Sequence, residues 1–315
     1  MSLNMEDMAK KFEDKRVLIT GCTGYIGSRL VYEILSRGYH VRGLVQDKDV
    51  ETECVSDLKK RGMEVWIGDL TQSDSIKGIG KDANILVHLA GLHSTVDKMT
   101  DLYVNGTRNL LNEIDEKKIE KIIFSSSGAV YGDRGSEILT EEVTLEPKHP
   151  FGIISNNAEE IISNYGKKRA NVDTIIFRIG EVYGPGIYNP FNRISFQGLS
   201  AFGDGTDYSS YIEIEDVINI FMLAMNNKIE GIFNLVDDMP VPRREFYQSI
   251  SDLSGGIPIK WVNMDTLPER IRLSIHGLRM LSIRMSNNKI KDVLNYHFNT
   301  ANCFVGMERI IKCKG

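Results

Sequence analysis

Up to Val182, apolar residues fall into short continuous runs that alternate with stretches of helical spacing. Val17-Leu18-Ile19 is the first run, and it ends in a glycine turn. Ile26, Leu30, Ile34 and Leu35 then recur on one helical face, and Gly38 stands where such a helix would stop. His40–Val45 reads as a second strand. Further strands are expected over 64–68, 85–89, 121–125 and 174–178, the last preceded by a helix over 155–167. Strands alternating with helices predict an α/β fold: a doubly wound parallel sheet covered by helices on both faces. After Val182 the pattern becomes irregular, with Gly, Pro, Asn and Tyr frequent over 184–211. The organisation expected is an N-terminal extension over 1–15, a main α/β domain over 16–182 and a smaller C-terminal lobe over 183–315. The lobe is interleaved with the main domain and covers the strand ends, where sheets of this kind bind ligands.

Composition narrows the function classes. A chain of 315 residues with 42% apolar residues can bury one large core with a smaller one beside it. The net charge of -5 and the absence of a basic run argue against a nucleic-acid partner. Cys22, Cys54, Cys303 and Cys313 form neither a C-x-x-C pair nor a Cys/His cluster with metal spacing. They read as reduced thiols of a cytoplasmic protein without a metal site. No segment is apolar for about 18 residues, so no membrane span is expected.

The strongest chemical signal is Gly21-Cys22-Thr23-Gly24-Tyr25-Ile26-Gly27, a G-x-x-G-x-x-G turn between a strand and a helix. Gly21 permits the tight turn, Gly24 lets a pyrophosphate approach the backbone, and Gly27 lets the helix pack closely on the strand. The free N–H groups and the dipole at the helix start would hold the phosphates. The turn therefore points to a dinucleotide, the alternative being a glycine turn used only for packing.

The spacing of this turn resembles that of the short-chain dehydrogenase/reductase superfamily, and later segments resemble its extended branch of epimerases and dehydratases. Asp69-Leu70 resembles the family's adenine-contacting segment. Val87-His88-Leu89-Ala90-Gly91 resembles the segment that lines the cofactor after the fourth strand. Tyr103 to Leu110 resembles its N-x-x-G-T-x-N-L helix, from which Asn105 is expected to face the cofactor. Phe124 to Gly132 resembles S-S-S-x-x-V-Y-G, and Arg178 to Gly186 resembles R-P-x-N-V-Y-G-P-G. The resemblance implies a Rossmann-type sheet with a smaller substrate lobe and a nucleotide-binding cleft. Thr23, Tyr25 and Ile26 would join the glycines around the phosphates. The choice between NAD and NADP stays open. The second strand ends Leu44-Val45-Gln46, with neither the acid that binds a ribose 2′-OH nor the arginine that accepts a 2′-phosphate. Gln46 could hydrogen-bond either ribose.

The same resemblance implies a Ser and a Tyr-x-x-x-Lys pair as the acid–base machinery, with the Lys also holding the nicotinamide ribose. Ser127 matches the Ser. Phe151 stands at the Tyr position and Ser155 at the Lys position, within an intact frame of Pro150, Gly152 and Glu159. None of the tyrosines is followed by lysine at i+4. Tyr165 with Arg169 lies fourteen residues further along the helix, a displacement of about 21 Å. On the substrate side, Ser209 stands where many sugar-nucleotide relatives place a diphosphate-clamping Arg. Glu181 stands at the Asn of R-P-x-N, where a solvated carboxylate would repel an anionic ligand. His93 lies after the fourth strand and is a candidate substitute acid. Tyr131 and Tyr183 read as packing aromatics. The helices over 100–117 and 155–167 correspond to those that pair into a homodimer in many relatives.

The reading is a cytoplasmic NAD(P)-binding protein of epimerase/dehydratase type, weak or inactive in hydride transfer, with a small molecule such as a nucleotide sugar as its ligand. The alternative is an active epimerase, dehydratase or carbonyl reductase that uses substitute residues.

Overall fold

The computed structural model describes residues 15–92, 94–195, 198–268 and 281–312. Seven strands build the central sheet: β1 Arg16–Thr20, β2 His40–Val45, β3 Glu64–Ile67, β4 Ile85–His88, β5 Lys121–Ser127, β6 Asp173–Ile179 and β7 Gly231–Leu235. Their order is β7-β6-β5-β4-β1-β2-β3, and every neighbouring pair is parallel. The order reverses between β1 and β4. In a doubly wound sheet the ligand crevice opens at the carboxyl ends of the strands flanking that reversal.

The helices are α1 Tyr25–Ser36, α2 Glu53–Lys60, α3 Val96–Thr100, α4 Thr107–Asn112, α5 Pro150–Lys167, α6 Ile214–Asn226, α7 Arg243–Leu253, α8 Asn288–Leu294 and α9 Cys303–Lys312. A π-helical segment, Asp101–Gly106, joins α3 to α4. The alternation of side chains along β1 divides the core in two. Val17 and Ile19 pack with Leu30 and Ile34 of α1 and Val217 and Phe221 of α6. Leu18 faces the opposite layer with Leu110 of α4 and Ile154, Ala158 and Ile162 of α5. Each such fully buried Leu or Ile contributes about 1.5–3 kcal/mol.

A third core contains Tyr183, Phe191, Leu199, Tyr211, Phe246, Ile250, Cys303 and Met307. It is drawn from the irregular part of the chain and its short paired strands. Glu181–Tyr183 runs parallel to Tyr211–Glu213, and Gly198–Phe202 parallel to Ile259–Val262.

The sequence pattern missed α6 and β7. Val217, Ile218, Ile220, Phe221, Met222, Ala224 and Met225 are all buried, so α6 shows little polar contrast from which to read a face. The expected helix over 155–167 begins earlier, at Pro150. Proline fits the first helical position, and His149 Nδ1 accepts from the Phe151 N–H at 3.2 Å to cap the end. That earlier start places both Phe151 and Ser155 inside the helix.

Candidate functional site

The glycine turn is built as its spacing requires. Gly21 has φ +69°, and a Cβ there would lie 2.7 Å from the Leu89 backbone. A Cβ on Gly27 would lie 2.0 Å from the Gly21 carbonyl oxygen. These two glycines let β1, α1 and the end of β4 pack together. At Gly24 the nearest obstacle is the Gly21 oxygen at 3.2 Å, so what the missing side chain keeps clear is the crevice. Gly24 caps α1 without a side chain, which leaves the N–H groups of the first turn available to an anion.

Three adjoining cavities form the crevice, and all three reach Leu89 and Gly91. The first, of about 340 Å³, is lined by Thr23, Gln46, Asp69, Leu70 and Ala90. The second, of about 280 Å³, runs along Tyr25, Ile26 and Gly27 to Glu181, Tyr188 and Arg193. The third, of about 230 Å³, is lined by Tyr103, Ser127, Phe151, Ser155 and Gly180. The structure thus brings most of the expected residues to one crevice. His93 lies outside the described residues.

At the first cavity, Gln46 donates its amide N–H to Asp69 Oδ2 at 2.8 Å. The other oxygen of Asp69 accepts from the backbone N–H and hydroxyl of Thr71. The Gln46 amide is thereby oriented, with its carbonyl oxygen and a second N–H remaining.

At the third cavity, Ser127 accepts from the Ala129 N–H at 3.2 Å, which orients its hydroxyl at the end of β5. Ser126 donates to Glu159. Glu159 is itself paired with Arg178, with a shortest contact of 2.8 Å and both side chains almost wholly buried. Arg178 donates to the Tyr131 hydroxyl at 3.1 Å, and Tyr131 donates to Asn234 at 2.7 Å. Tyr131 is fully buried in this network and does not line the crevice.

Phe151 and Ser155 are both buried against the third cavity. The ring of Phe151 meets Tyr103 edge to face, with centroids 5.9 Å apart. Here the expectation for Asn105 is corrected. Asn105 is exposed, is bonded to Asp101 on the outer face of the π segment, and lines none of the three cavities. Counted back from Gly106-Thr107, the spacing N-x-x-G-T falls on Tyr103 instead. Tyr103 was not anticipated because an aromatic at helical spacing reads as packing.

His88 is buried between two threonines. Its Nδ1 lies 2.6 Å from the Thr20 hydroxyl and its Nε2 3.0 Å from the Thr107 hydroxyl. Thr107 donates to the Tyr103 carbonyl at 2.6 Å, and Thr20 accepts from the Ala90 N–H at 3.2 Å. These directions fix a neutral imidazole with its proton on Nε2. Burial lowers its pKa to about 4.

The substrate side is also corrected. Glu181 is not a solvated carboxylate. It is buried and held by Arg243 at 2.9 Å and Arg193 at 3.5 Å. Ser209 is buried beside it and donates to the same carboxylate at 3.2 Å. The carboxylate is therefore paired with two guanidinium groups and does not stand alone in the crevice. Arg193 reaches the second cavity. The partners escaped notice because Arg193 and Arg243 belong to no motif. The loop carrying Tyr188 also straps onto α1: Tyr25 donates to the Pro185 carbonyl at 2.8 Å and meets the Tyr188 ring at 4.7 Å.

Among the described residues, no group of three or more His, Cys, Asp and Glu could hold a metal ion, and no helix is long and apolar enough to cross a membrane.

The sequence profile of the NAD dependent epimerase/dehydratase family matches residues 17–235. A UDP-N-acetyl-alpha-D-glucosaminuronate decarboxylase from Bacillus cytotoxicus is 27% identical over 312 residues, covering 91% of this chain and 94% of that protein. Among solved structures, the UDP-glucose 4-epimerase of Thermotoga maritima with UDP-glucose has a TM-score of 0.76 at 21% identity, covering 94% of this chain and 97% of that one. A tyrosine-to-phenylalanine mutant of a Bacillus cereus UDP-glucuronic acid 4-epimerase, in complex with UDP-4-deoxy-4-fluoro-glucuronic acid and NAD, has a TM-score of 0.75 at 21% identity, covering 95% and 100%.

Proposed function

The chain belongs to the NAD dependent epimerase/dehydratase family, and from that premise we propose that it binds NAD in the crevice between Gln46 and Phe151 but transfers hydride slowly. The observation that carries this reading is one crevice with two contrasting ends. The glycine turn and the Gln46–Asp69 pair fit a nucleoside and its pyrophosphate. The far cavity presents Phe151 and Ser155 where family chemistry uses a phenol and an ammonium.

At the phosphate end, the open N–H groups of α1 take the pyrophosphate oxygens, and the bare Cα of Gly24 lets them approach. At the ribose, Gln46 gives one N–H to Asp69 and keeps a carbonyl oxygen and a second N–H. That oxygen accepts from a 2′-hydroxyl but opposes a 2′-phosphate, with the Asp69 carboxylate beside it. Lys48 and Asp49 also line this cavity, and the preference for NAD over NADP rests on Gln46 and Asp69. Bound here, the cofactor supplies a hydride acceptor or donor at the end near Phe151. The protein's side of that chemistry is reduced to hydrogen bonding, since Ser127 is a neutral hydroxyl and Phe151 has no proton to exchange. General acid–base catalysis contributes about 10²–10⁴ in rate.

For the ligand, the Glu181–Arg193–Arg243 cluster supports an anionic group such as the diphosphate of a nucleotide sugar. We assign the third core to the substrate lobe, and α4 with α5 to a homodimer face. The B. cereus mutant is in complex with NAD and UDP-4-deoxy-4-fluoro-glucuronic acid, which supports a cleft of this fold binding both. A second reading, an active epimerase or dehydratase, is favoured by the same arginines. The test is calorimetry with NAD+ and NADP+. Binding of NAD+ at least about tenfold tighter supports the reading, and no heat for either cofactor overturns it.

A further inference from the structure

We propose that Tyr103 holds the nicotinamide-side ribose of the bound dinucleotide, through a hydroxyl that enters the site from the π-helical segment rather than from α5. The inference rests on the cofactor reading above.

A dinucleotide lies across the reversal point of the sheet, with its pyrophosphate at the glycine turn. The Gln46–Asp69 pair takes one nucleoside at the first cavity, so the other falls in the third. Several hydroxyls line that third cavity. Ser126 gives its proton to Glu159, and Ser127 is turned to accept from Ala129. Ser155 is short and buried, and cannot span the distance a lysine covers. Two tyrosines also line it: Tyr188 is half exposed on the strap over α1, whereas Tyr103 is buried. Its hydroxyl lies over Gly91, where a Cβ would come within 2.5 Å of the phenolic oxygen. Only a glycine at 91 admits the phenol there.

The protonation state fits a donor. Burial pushes the Tyr103 phenol up to about 12, partly offset by a hydrogen bond with the Leu92 backbone. The phenol therefore keeps its proton and can donate it. A ribose hydroxyl offers both an acceptor and a donor, and suits such a partner. Among the described residues no cation is placed as in a Tyr-x-x-x-Lys pair to lower the phenol, so Tyr103 holds a ligand oxygen and does not act as a base.

The residue is also fixed in place. The π segment displaces its backbone relative to a regular α-helix. Its carbonyl is tied through Thr107 and His88 to Thr20, the residue immediately before the glycine turn. A hydrogen-bonded line therefore runs from the phosphate-binding turn to Tyr103.

The experiment is calorimetry on the whole protein and on Tyr103→Phe with ADP, ADP-ribose and NAD+. The variant keeps the ring contact with Phe151, and its melting temperature serves as the folding control. ADP lacks the second ribose, while the other two contain it. Binding of ADP-ribose and NAD+ should weaken by about tenfold in the variant, with ADP unchanged. Equal weakening of all three ligands, or no change in any, would overturn the role of Tyr103 and leave the cofactor reading standing. If the wild-type protein binds none of the three, the cofactor reading falls and this inference falls with it.

Discussion

The ring of Tyr103 meets the ring of Phe151 edge to face, with an interplanar angle of 83° and centroids 5.9 Å apart. The contact joins the π segment to the start of α5 across the floor of the third cavity. A phenol is therefore present beside the position where the family pattern expects one, but it enters from another element and at another angle. On the proposed reading the hydroxyl serves binding there, and Phe151 offers no proton to transfer.

Gly24→Val should abolish NAD+ binding while lowering the melting temperature little. The branched side chain projects into the space of the pyrophosphate, and only the Gly21 oxygen crowds its Cβ. Gly27→Ala should do the reverse and fail at the level of folding, because its Cβ would lie 2.0 Å from the Gly21 carbonyl. Calorimetry paired with thermal melting separates the two effects.

Glu159→Ala should destabilise the protein by about 3–5 kcal/mol, because it strands Arg178 without its buried partner. Denaturant unfolding measures this directly. A loss below about 1 kcal/mol would mean that water reaches Arg178.

His88 gives a pH signature of definite sign. Burial holds its folded pKa near about 4, below the ordinary value of 6.5. The unfolded chain therefore binds the extra proton first. The stability contributed is fully present above about pH 6.5 and is lost as the pH falls through about 4; it is on the order of 3 kcal/mol. The stability difference between wild type and His88→Asn should shrink across that window, as read by unfolding at several pH values. A difference independent of pH would show that His88 titrates normally.

Arg193→Gln should weaken binding of UDP-glucose by about tenfold or more, since a charge-assisted bond is worth roughly 1.5–3 kcal/mol. Unchanged UDP-glucose affinity would show that the cluster around Glu181 is purely structural.

The sequence revealed those parts of the molecule that depend on local geometry. The glycine turn is legible because Gly21 and Gly27 answer to close backbone contacts. The strands up to β6 are legible because each is a short apolar run bounded by breakers. The losses at Phe151 and Ser155 are legible because Pro150, Gly152 and Glu159 fix the register. What was hidden depends on tertiary partners. Glu181 looked like an exposed acid until Arg193 and Arg243 closed on it. Asn105 has the motif's residue type but not its spacing: counted back from Gly106-Thr107, N-x-x-G-T falls on Tyr103, which lines the cavity. α6 was hidden by being buried nearly all round.

The most direct measurement is turnover by the wild-type protein with saturating NAD+ over a panel of nucleotide sugars, followed at the reduced-nicotinamide absorbance and by product analysis for redox-neutral epimerisation. The account predicts a rate at least about a hundredfold below 1 s⁻¹, reflecting the missing acid–base group. A rate near about 1 s⁻¹ would contradict it, and would mean that another group in the crevice moves the proton.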